Sequence, residues 1–422
     1  MPEESIVTDE FVRQLINVGE VDLLVALPTH NNAKTVGKVV QSIQAGLLKC
    51  FPRERAVILN ADGGSRDGTP EVITAASISD ERRVYNGFAL RTLPSISTKY
   101  ASSPSSETAL HSILSAAELL RARACAVISP ESETIEPEWV ANLLRPVYHD
   151  NFDFVAPVYR RHKFEGILVS NVVYPMMRAL YGQRIREPYA SEFGFSGRFG
   201  AQFLTQHAWQ HEAGQFGTEL QMILSAVTGG QRVSQAFLGT KTRSEHTAET
   251  LVGAMRQTAG VMFTSLEPNF AMWSTSNGSK TVTTIGPDHD VTLDPIRVNR
   301  KRLLQMFSAG VAELEPVLQT ILSPGTVESL QQIAKLDEDD FRYPAELWAK
   351  TVYEFAASHH KSVISRDHII QALVPLYRGR MFTFLVENRT ASSEEIENSV
   401  EDLCNEFERL KPYLLEAWNG RK

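Results

Sequence analysis

At 422 residues and 43% hydrophobic content, the chain can fill a sizeable core and make two or three structural units at roughly 150 residues each. Its formal charge of −8 offers no basic face or run of the kind DNA or RNA demands, so nucleic acid is not an expected partner. Three scattered cysteines, Cys50, Cys125 and Cys404, supply neither a disulfide framework nor a thiolate metal site, which points to a reducing compartment. The acidic start Met1-Pro2-Glu3-Glu4-Ser5 lacks the basic-then-apolar order of an export signal. No apolar run approaches the ~20 residues of a transmembrane segment, so a cytoplasmic protein is expected, with peripheral membrane contact left open.

Along the chain, apolar runs at 21–27, 56–61, 87–90 and 124–129 alternate with helical patterns at 34–49, 69–77 and 106–121. That rhythm predicts a doubly wound α/β sheet of parallel strands. The first run, Val21–Leu27, breaks at Pro28-Thr29-His30-Asn31-Asn32, and the second ends in Asp62-Gly63-Gly64-Ser65-Arg66-Asp67-Gly68-Thr69. Ligands of open parallel sheets lie outside the carboxyl ends of the strands, where loops present side chains and free N–H groups without disturbing the core. Both loops therefore belong beside one ligand. A further run, Phe152–Tyr159, opens a second half of the same domain and ends in Arg160-Arg161-His162-Lys163. Residues 167–181 and 217–228 read as helices separated by a loop rich in Gly, Ser and aromatics. Thr275–Pro287 is the most loop-like stretch, an active-site flap or a connector. From about residue 294 the pattern becomes amphipathic helices with breaks at Ser323-Pro324-Gly325, Asp337–Asp340 and Asn388–Ser393. The expected division is 1–290 for the α/β domain and 291–422 for a helical domain, with Trp348, Tyr353 and Tyr377 packing helices rather than stacking on sugar.

The segments Leu27–Asn32 and Ala61–Thr69 resemble the opening of the GT-A glycosyltransferases, whose first strand ends in a Pro-x-x-Asn-like turn and whose second ends in Asp-x-Ser-x-Asp-x-Thr. Within that fold the chain is similar to the retaining glucosyl-3-phosphoglycerate and mannosylglycerate synthases between about residues 21 and 247. Glu131-Ser132-Glu133 stands where those enzymes carry an Asp-x-Asp metal motif. Glu187-Pro188-Tyr189-Ala190-Ser191-Glu192 resembles their sugar- and acceptor-facing loop, Gly214–Leu220 a helix start bearing Glu219, and His246 their late metal-ligand histidine. Departures are equally plain: glutamates replace aspartates, the paired glycines are absent, and Ser102–Leu110 has no lysine where the family has Gly-Lys-Gly. Lys99 is the nearest lysine, and Ser105-Ser106 could cap the following helix and donate to phosphate.

The resemblance implies a GT-A (Rossmann-like) nucleotide-diphospho-sugar transferase domain with a C-terminal α-helical region. It implies retaining transfer of glucose or mannose from a UDP- or GDP-hexose to a small polar acceptor such as glycerate or phosphoglycerate. Departure of a nucleoside diphosphate concentrates charge on the pyrophosphate, which a divalent cation, Mg2+ or Mn2+, offsets through hard oxygen ligands. Glu131, Glu133 and His246 are the candidate ligands of that cation. Pro28, Thr29, Asn31, Asp62, Lys99 and Ser132 are assigned to the donor, and Glu192 and Glu219 to sugar hydroxyls or the acceptor. Arg160, Arg161 and Lys163 would pair with an acceptor phosphate or carboxylate. In a retaining reaction the departing phosphate oxygen can itself take the acceptor proton, so the protein mainly positions partners and stabilises charge.

Each residue also has a plainer use. Asp62-Gly63-Gly64-Ser65 can be a strand-to-helix turn, Glu131 to Glu138 an acidic helix start, and His246 a surface or capping residue. A catalytically weak or inactive GT-A fold that binds or scaffolds is the alternative function. A nucleotidyltransferase ranks below both, since no Gly-rich phosphate loop with lysine lies between Leu27 and Val36. A homodimer formed through the tail stays open.

Overall fold

The computed structural model describes residues 8–78, 95–99, 106–162, 164–206, 217–241, 248–286 and 299–420. In chain order the elements begin α1 (Asp9–Val18), β1 (Leu23–Thr29), α2 (Val36–Cys50), β2 (Ala56–Asp62), α3 (Thr69–Ile78), β3 (Ser95–Lys99), α4 (Ser106–Leu119), β4 (Ala124–Val127), α5 (Pro137–Tyr148) and β5 (Phe154–Arg160). They continue with α6 (Tyr174–Tyr181), β6 (Gln183–Arg184), β7 (Phe193–Ser196), α7 (Gly197–Gln206), α8 (Thr218–Thr228), β8 (Val233–Thr240), α9 (Ala248–Met255), α10 (Val261–Leu266), α11 (Phe270–Thr275), β9 (Lys280–Thr281) and β10 (Thr284–Ile285). The remainder is helical: α12 (Arg300–Glu313), α13 (Glu315–Ile321), α14 (Pro324–Ile333), α15 (Ala345–Lys361), α16 (Arg366–Glu387), α17 (Ser393–Arg409) and α18 (Lys411–Trp418).

Two compact units interleave along the chain. The first takes residues 1–160, 190–244 and 282–291; the second takes 161–189, 245–281 and 292–422. The first unit is α/β, built on an eight-stranded sheet of order β10-β8-β5-β7-β4-β1-β2-β3. β7 runs antiparallel to β4 and β5, and the other pairings are parallel. β1 and β4 are wholly apolar over Leu23–Leu27 and Ala124–Val127 and fully buried, as strands covered by helices on both faces must be. Gly46 lets α2 lie against α5, because a Cβ there would meet the Pro137 carbonyl oxygen at 2.3 Å. The chain goes outward from β1 through β2 to β3 on one side and reaches β4 on the other, so the order reverses between β1 and β4. That crevice is the topological switch point where open α/β sheets take ligands.

The expected strand at 87–90 lies outside the described residues. β3, β7 and β8 were not anticipated, and α2, α3, α4 and α8 fall close to their expected spans. The 275–287 stretch holds the end of α11 and two short strands, with β10 closing one edge of the sheet beside β8.

The second unit is helical and includes the expected C-terminal region. Trp348, Tyr353 and Tyr377 are buried in its core. α16 lies on α12 with little clearance: a Cβ on Gly310 would meet Pro375 at 2.3 Å, and one on Gly379 would meet Phe307 at 2.5 Å. α16 is also long and apolar enough to cross a bilayer by length and composition, a possibility missing from the expectation of no such run. Most of its apolar stretch, 72%, is buried inside the protein, the situation of a core helix. Arg178 of α6 is wholly buried and pairs with Glu401 at 2.5 Å and Glu408 at 2.8 Å on α17. Glu354 of α15 accepts from Ser323 N, Ser323 Oγ, Thr326 Oγ1 and Tyr413 OH, tying α14 and α18 to α15.

Candidate functional site at the strand tips

The register places Thr29, Asp62 and Lys99 side by side at the carboxyl ends of β1, β2 and β3. Past that row the chain must reverse within a few residues into α2 and α3, and the two loops solve the problem jointly. Asn31 takes a left-handed conformation, φ 57°, which its short amide side chain tolerates. Its N–H donates to Ser65 Oγ at 2.9 Å, and its Oδ1 accepts from Arg66 N at 2.9 Å. Asn32 N donates to Thr69 Oγ1 at 2.8 Å, and Ala33 N to Asp67 Oδ2 at 2.9 Å. Asp67 lies below the ordinary carboxylate range because Thr69 Oγ1 and then Ala33 N donate to it.

Asp62 is 2% exposed, and its carboxylate accepts from Thr29 Oγ1, Gly64 N, Ser65 N and Ser65 Oγ at 2.6–3.0 Å. Thr29 Oγ1 also lies 2.7 Å from Asn60 Oδ1, so its one hydroxyl proton is shared between Asn60 and Asp62. The carboxylate thus braces its own turn, the plainer of the two uses read from the sequence. Pro28, half-buried, and Thr29, buried, close β1 beneath the loop. Lys99 is placed by its backbone at the tip of β3.

The β4 tip completes the crevice. The turn after Val127 closes with Ser132 N to Ser129 O at 3.2 Å and Ile135 N to Ser132 O at 3.0 Å. Glu131 and Glu133 are exposed while Ser132 between them is buried. Glu131 Oε1 lies 3.4 Å from Asn32 Nδ2, so the β1 and β4 loops meet. Two of the three groups expected to converge, Asp62 and Glu131, therefore sit on interlocked loops. The third, His246, lies outside the described residues, as does Lys163.

Glu219 is half-buried in the first turn of α8, behind Gly217 at φ 67°. Arg160 ends β5, and its carbonyl accepts from Lys241 N at 3.2 Å. Arg161 begins the second unit and pairs with the buried Glu187 of the same unit at 3.2 Å. Glu192 is wholly buried at the start of β7 and is bound to Ser132, Tyr159 and Lys241.

The sequence places Asn32, Asp67 and Thr69 in the two paired loops but gives them no role of their own, and it gives none to Tyr159 and Lys241. The Asp67-x-Thr69 pairing carries a local signal, an Asx-type turn at a helix start. The others meet partners far away in the chain.

As a cation site, the crevice offers the hard carboxylate oxygens that Mg2+ and Mn2+ prefer. Among the described residues no three His, Cys, Asp or Glu side chains gather into a metal-binding group. Glu131 and Glu133 are the exposed carboxylates that this turn offers, and the other oxygens of a Mg2+ shell would come from phosphate and water.

No protein-family model matches the chain, and no curated protein matches it. Among solved structures it is similar to glucosyl-3-phosphoglycerate synthase from Mycobacterium tuberculosis in complex with Mg2+ and UDP. The identity is 17% and the TM-score 0.43, over 63% of this chain and 84% of that one. The same enzyme with Mn2+, UDP-glucose and phosphoglyceric acid gives 19% and 0.42 over 63% and 84%. With Mn2+, UDP and glucosyl-3-phosphoglycerate it gives 18% and 0.43 over 66% and 87%. What those complexes bind belongs to that enzyme; the chemistry of this chain rests on its own residues.

Proposed function

We propose that the chain is a retaining GT-A-type glycosyltransferase that moves glucose or mannose from a nucleoside-diphosphate sugar to a small polar acceptor such as glycerate or phosphoglycerate. The observation that carries this reading is the interlock of the β1, β2 and β4 loops at the topological switch point, with two exposed carboxylates at its rim. Glu131 and Glu133 would hold a divalent cation, which supplies charge neutralisation to the departing diphosphate. Asn31 and Asn32 would border the nucleotide, their loop fixed in advance by Ser65, Asp67 and Thr69. Glu219 would accept from sugar hydroxyls, and Arg160 would pair with an acidic acceptor. The protein's contribution is placement, since a retaining reaction lets the leaving phosphate take the acceptor proton.

A binding or scaffolding protein on the same fold is the second reading. It is favoured by the engagement of both Asp62 oxygens within their own turn and by the lack of a three-residue metal group among the described residues. The test is release of UDP or GDP when the protein is given the corresponding hexose donor, Mn2+ and 3-phosphoglycerate. Saturable, cation-dependent release is expected. Nucleotide binding without release for any donor and acceptor pair favours the second reading.

A further inference from the structure

Behind the exposed Glu131 and Glu133 lies a buried group drawn from four stretches of the chain. Glu192 Oε1 accepts from Ser132 Oγ, and its Oε2 accepts from Tyr159 OH, from Lys241 Nζ at 2.5 Å and from Ser191 Oγ at 3.3 Å. Lys241 Nζ also donates to Ser191 Oγ at 2.9 Å and lies 4.9 Å from the centre of the Tyr159 ring. Glu192 is 0% exposed and the Lys241 side chain 17%. A carboxylate taken out of water is costly unless a cation and hydrogen bonds surround it, so a group this well satisfied is a fixed point of the structure. Burial pushes the Glu192 carboxyl upward, but Lys241, followed by Ser132 and Tyr159, brings it below its ordinary value.

The consequence falls on the turn. Ser132 is its middle residue, and its hydroxyl is held inward by Glu192. With Ser132 seized from behind, the flanking Glu131 and Glu133 are turned outward and exposed. Neither Lys241 nor Glu192 need touch a ligand to decide where those two carboxylates point.

Resting on the glycosyl-transfer reading, we propose that Lys241 and Glu192 are positioning residues. Their buried ion pair latches Ser132 and so holds Glu131 and Glu133 outward toward a divalent cation and the diphosphate of the donor.

The test compares wild type with Ser132→Ala, Ser132→Thr and Lys241→Met by two readouts. The first is hydrogen exchange of the 129–135 amides in ligand-free protein. The second is the affinity for UDP with MnCl2, measured by calorimetry. Ser132→Ala and Lys241→Met should each speed exchange of that segment and weaken UDP–Mn2+ binding by about tenfold, the effect of one lost charge-assisted hydrogen bond. Ser132→Thr, which keeps the hydroxyl, should restore both. Ser132→Ala removes a single atom, so it decides the matter even if Lys241→Met does not fold. Unchanged exchange and unchanged affinity in Ser132→Ala overturn the latch. Wild-type protein that binds neither UDP nor GDP in the presence of MnCl2 overturns the sugar-transfer reading and the positioning role with it, whatever the exchange shows.

Discussion

Glu107, in the first turn of α4, is 7% exposed, and its Oε1 has no hydrogen-bond partner among the described residues. Burial pushes its carboxyl from the ordinary 4.5 to about 7. In the unfolded chain the group ionises near 4.5, whereas in the folded protein it keeps its proton to about 7. Between those values the folded state binds the extra proton, so stability falls as pH rises and levels off above 7. At about 1.4 kcal/mol per pH unit the ceiling is about 3 kcal/mol. The α4 dipole favours the charged form there and solvent screens part of the cost, so about 2 kcal/mol is expected. Glu107→Gln keeps the shape and removes the ionisation. Urea unfolding of both proteins at pH 4.5, 6 and 8 measures the difference. The variant should match wild type within error at pH 4.5 and be more stable by about 2 kcal/mol at pH 8, with unchanged denaturant slope. Parallel stability curves across that range would refute the reasoning.

Asp62→Ala strands the N–H groups of Gly64 and Ser65 and the Ser65 hydroxyl, while Thr29 keeps Asn60 Oδ1, so a loss of about 2–4 kcal/mol in chemical unfolding is expected along with weaker nucleotide binding; full stability would show that the turn does not depend on the carboxylate. Arg178→Met leaves the partly exposed Glu401 and Glu408 without their buried partner and should cost about 1–3 kcal/mol in the helical unit, read as a lower melting temperature. Gly379→Ala drives a methyl to 2.5 Å from Phe307 and should cost about 1–3 kcal/mol; a neutral result would mean that α12 and α16 separate freely.

What could be read from sequence and what could not divide along physical lines. β1 and β2 are long apolar runs that stop abruptly at Pro28 and at Asp62-Gly63-Gly64, so both the strands and the edge their loops share were visible. β3, Ser-Ile-Ser-Thr-Lys, is a polar strand at the sheet edge and has no apolar run to betray it. β7 is four residues, Phe193-Gly194-Phe195-Ser196, and its reversed direction follows from its neighbours β4 and β5 rather than from its own pattern. Gly194 is needed there because a Cβ would meet the Leu143 carbonyl oxygen at 2.4 Å.

The site shows the same split. The turn at Asp62 uses Gly64 and Ser65, two and three residues on, so turn chemistry pointed to it, whereas the bonds from Thr29 to Asp62 and from Ala33 to Asp67 span more than thirty residues and carry no local signal. Glu192 was recognisable as an acidic loop residue but not as the centre of a buried group, because Tyr159, Lys241 and Ser132 lie 33, 49 and 60 positions from it. The helical unit likewise borrows residues 161–189 and 245–281 from ahead of the tail, an interleaving that no change in composition announces.

The central claim is that the crevice between β1 and β4 takes a nucleoside diphosphate with a cation on Glu131 and Glu133. Its most direct measurement is a thermal-shift series with UDP, GDP and ADP, with and without MnCl2, on wild type and on the Glu131→Ala/Glu133→Ala double variant. One diphosphate should raise the wild-type melting temperature by several degrees when Mn2+ is present, since a ligand at about 100 times its Kd adds about 2.7 kcal/mol to the folded state. The double variant should lose that cation-dependent rise. No shift with any of the three, or a full shift retained without Glu131 and Glu133, would contradict the account.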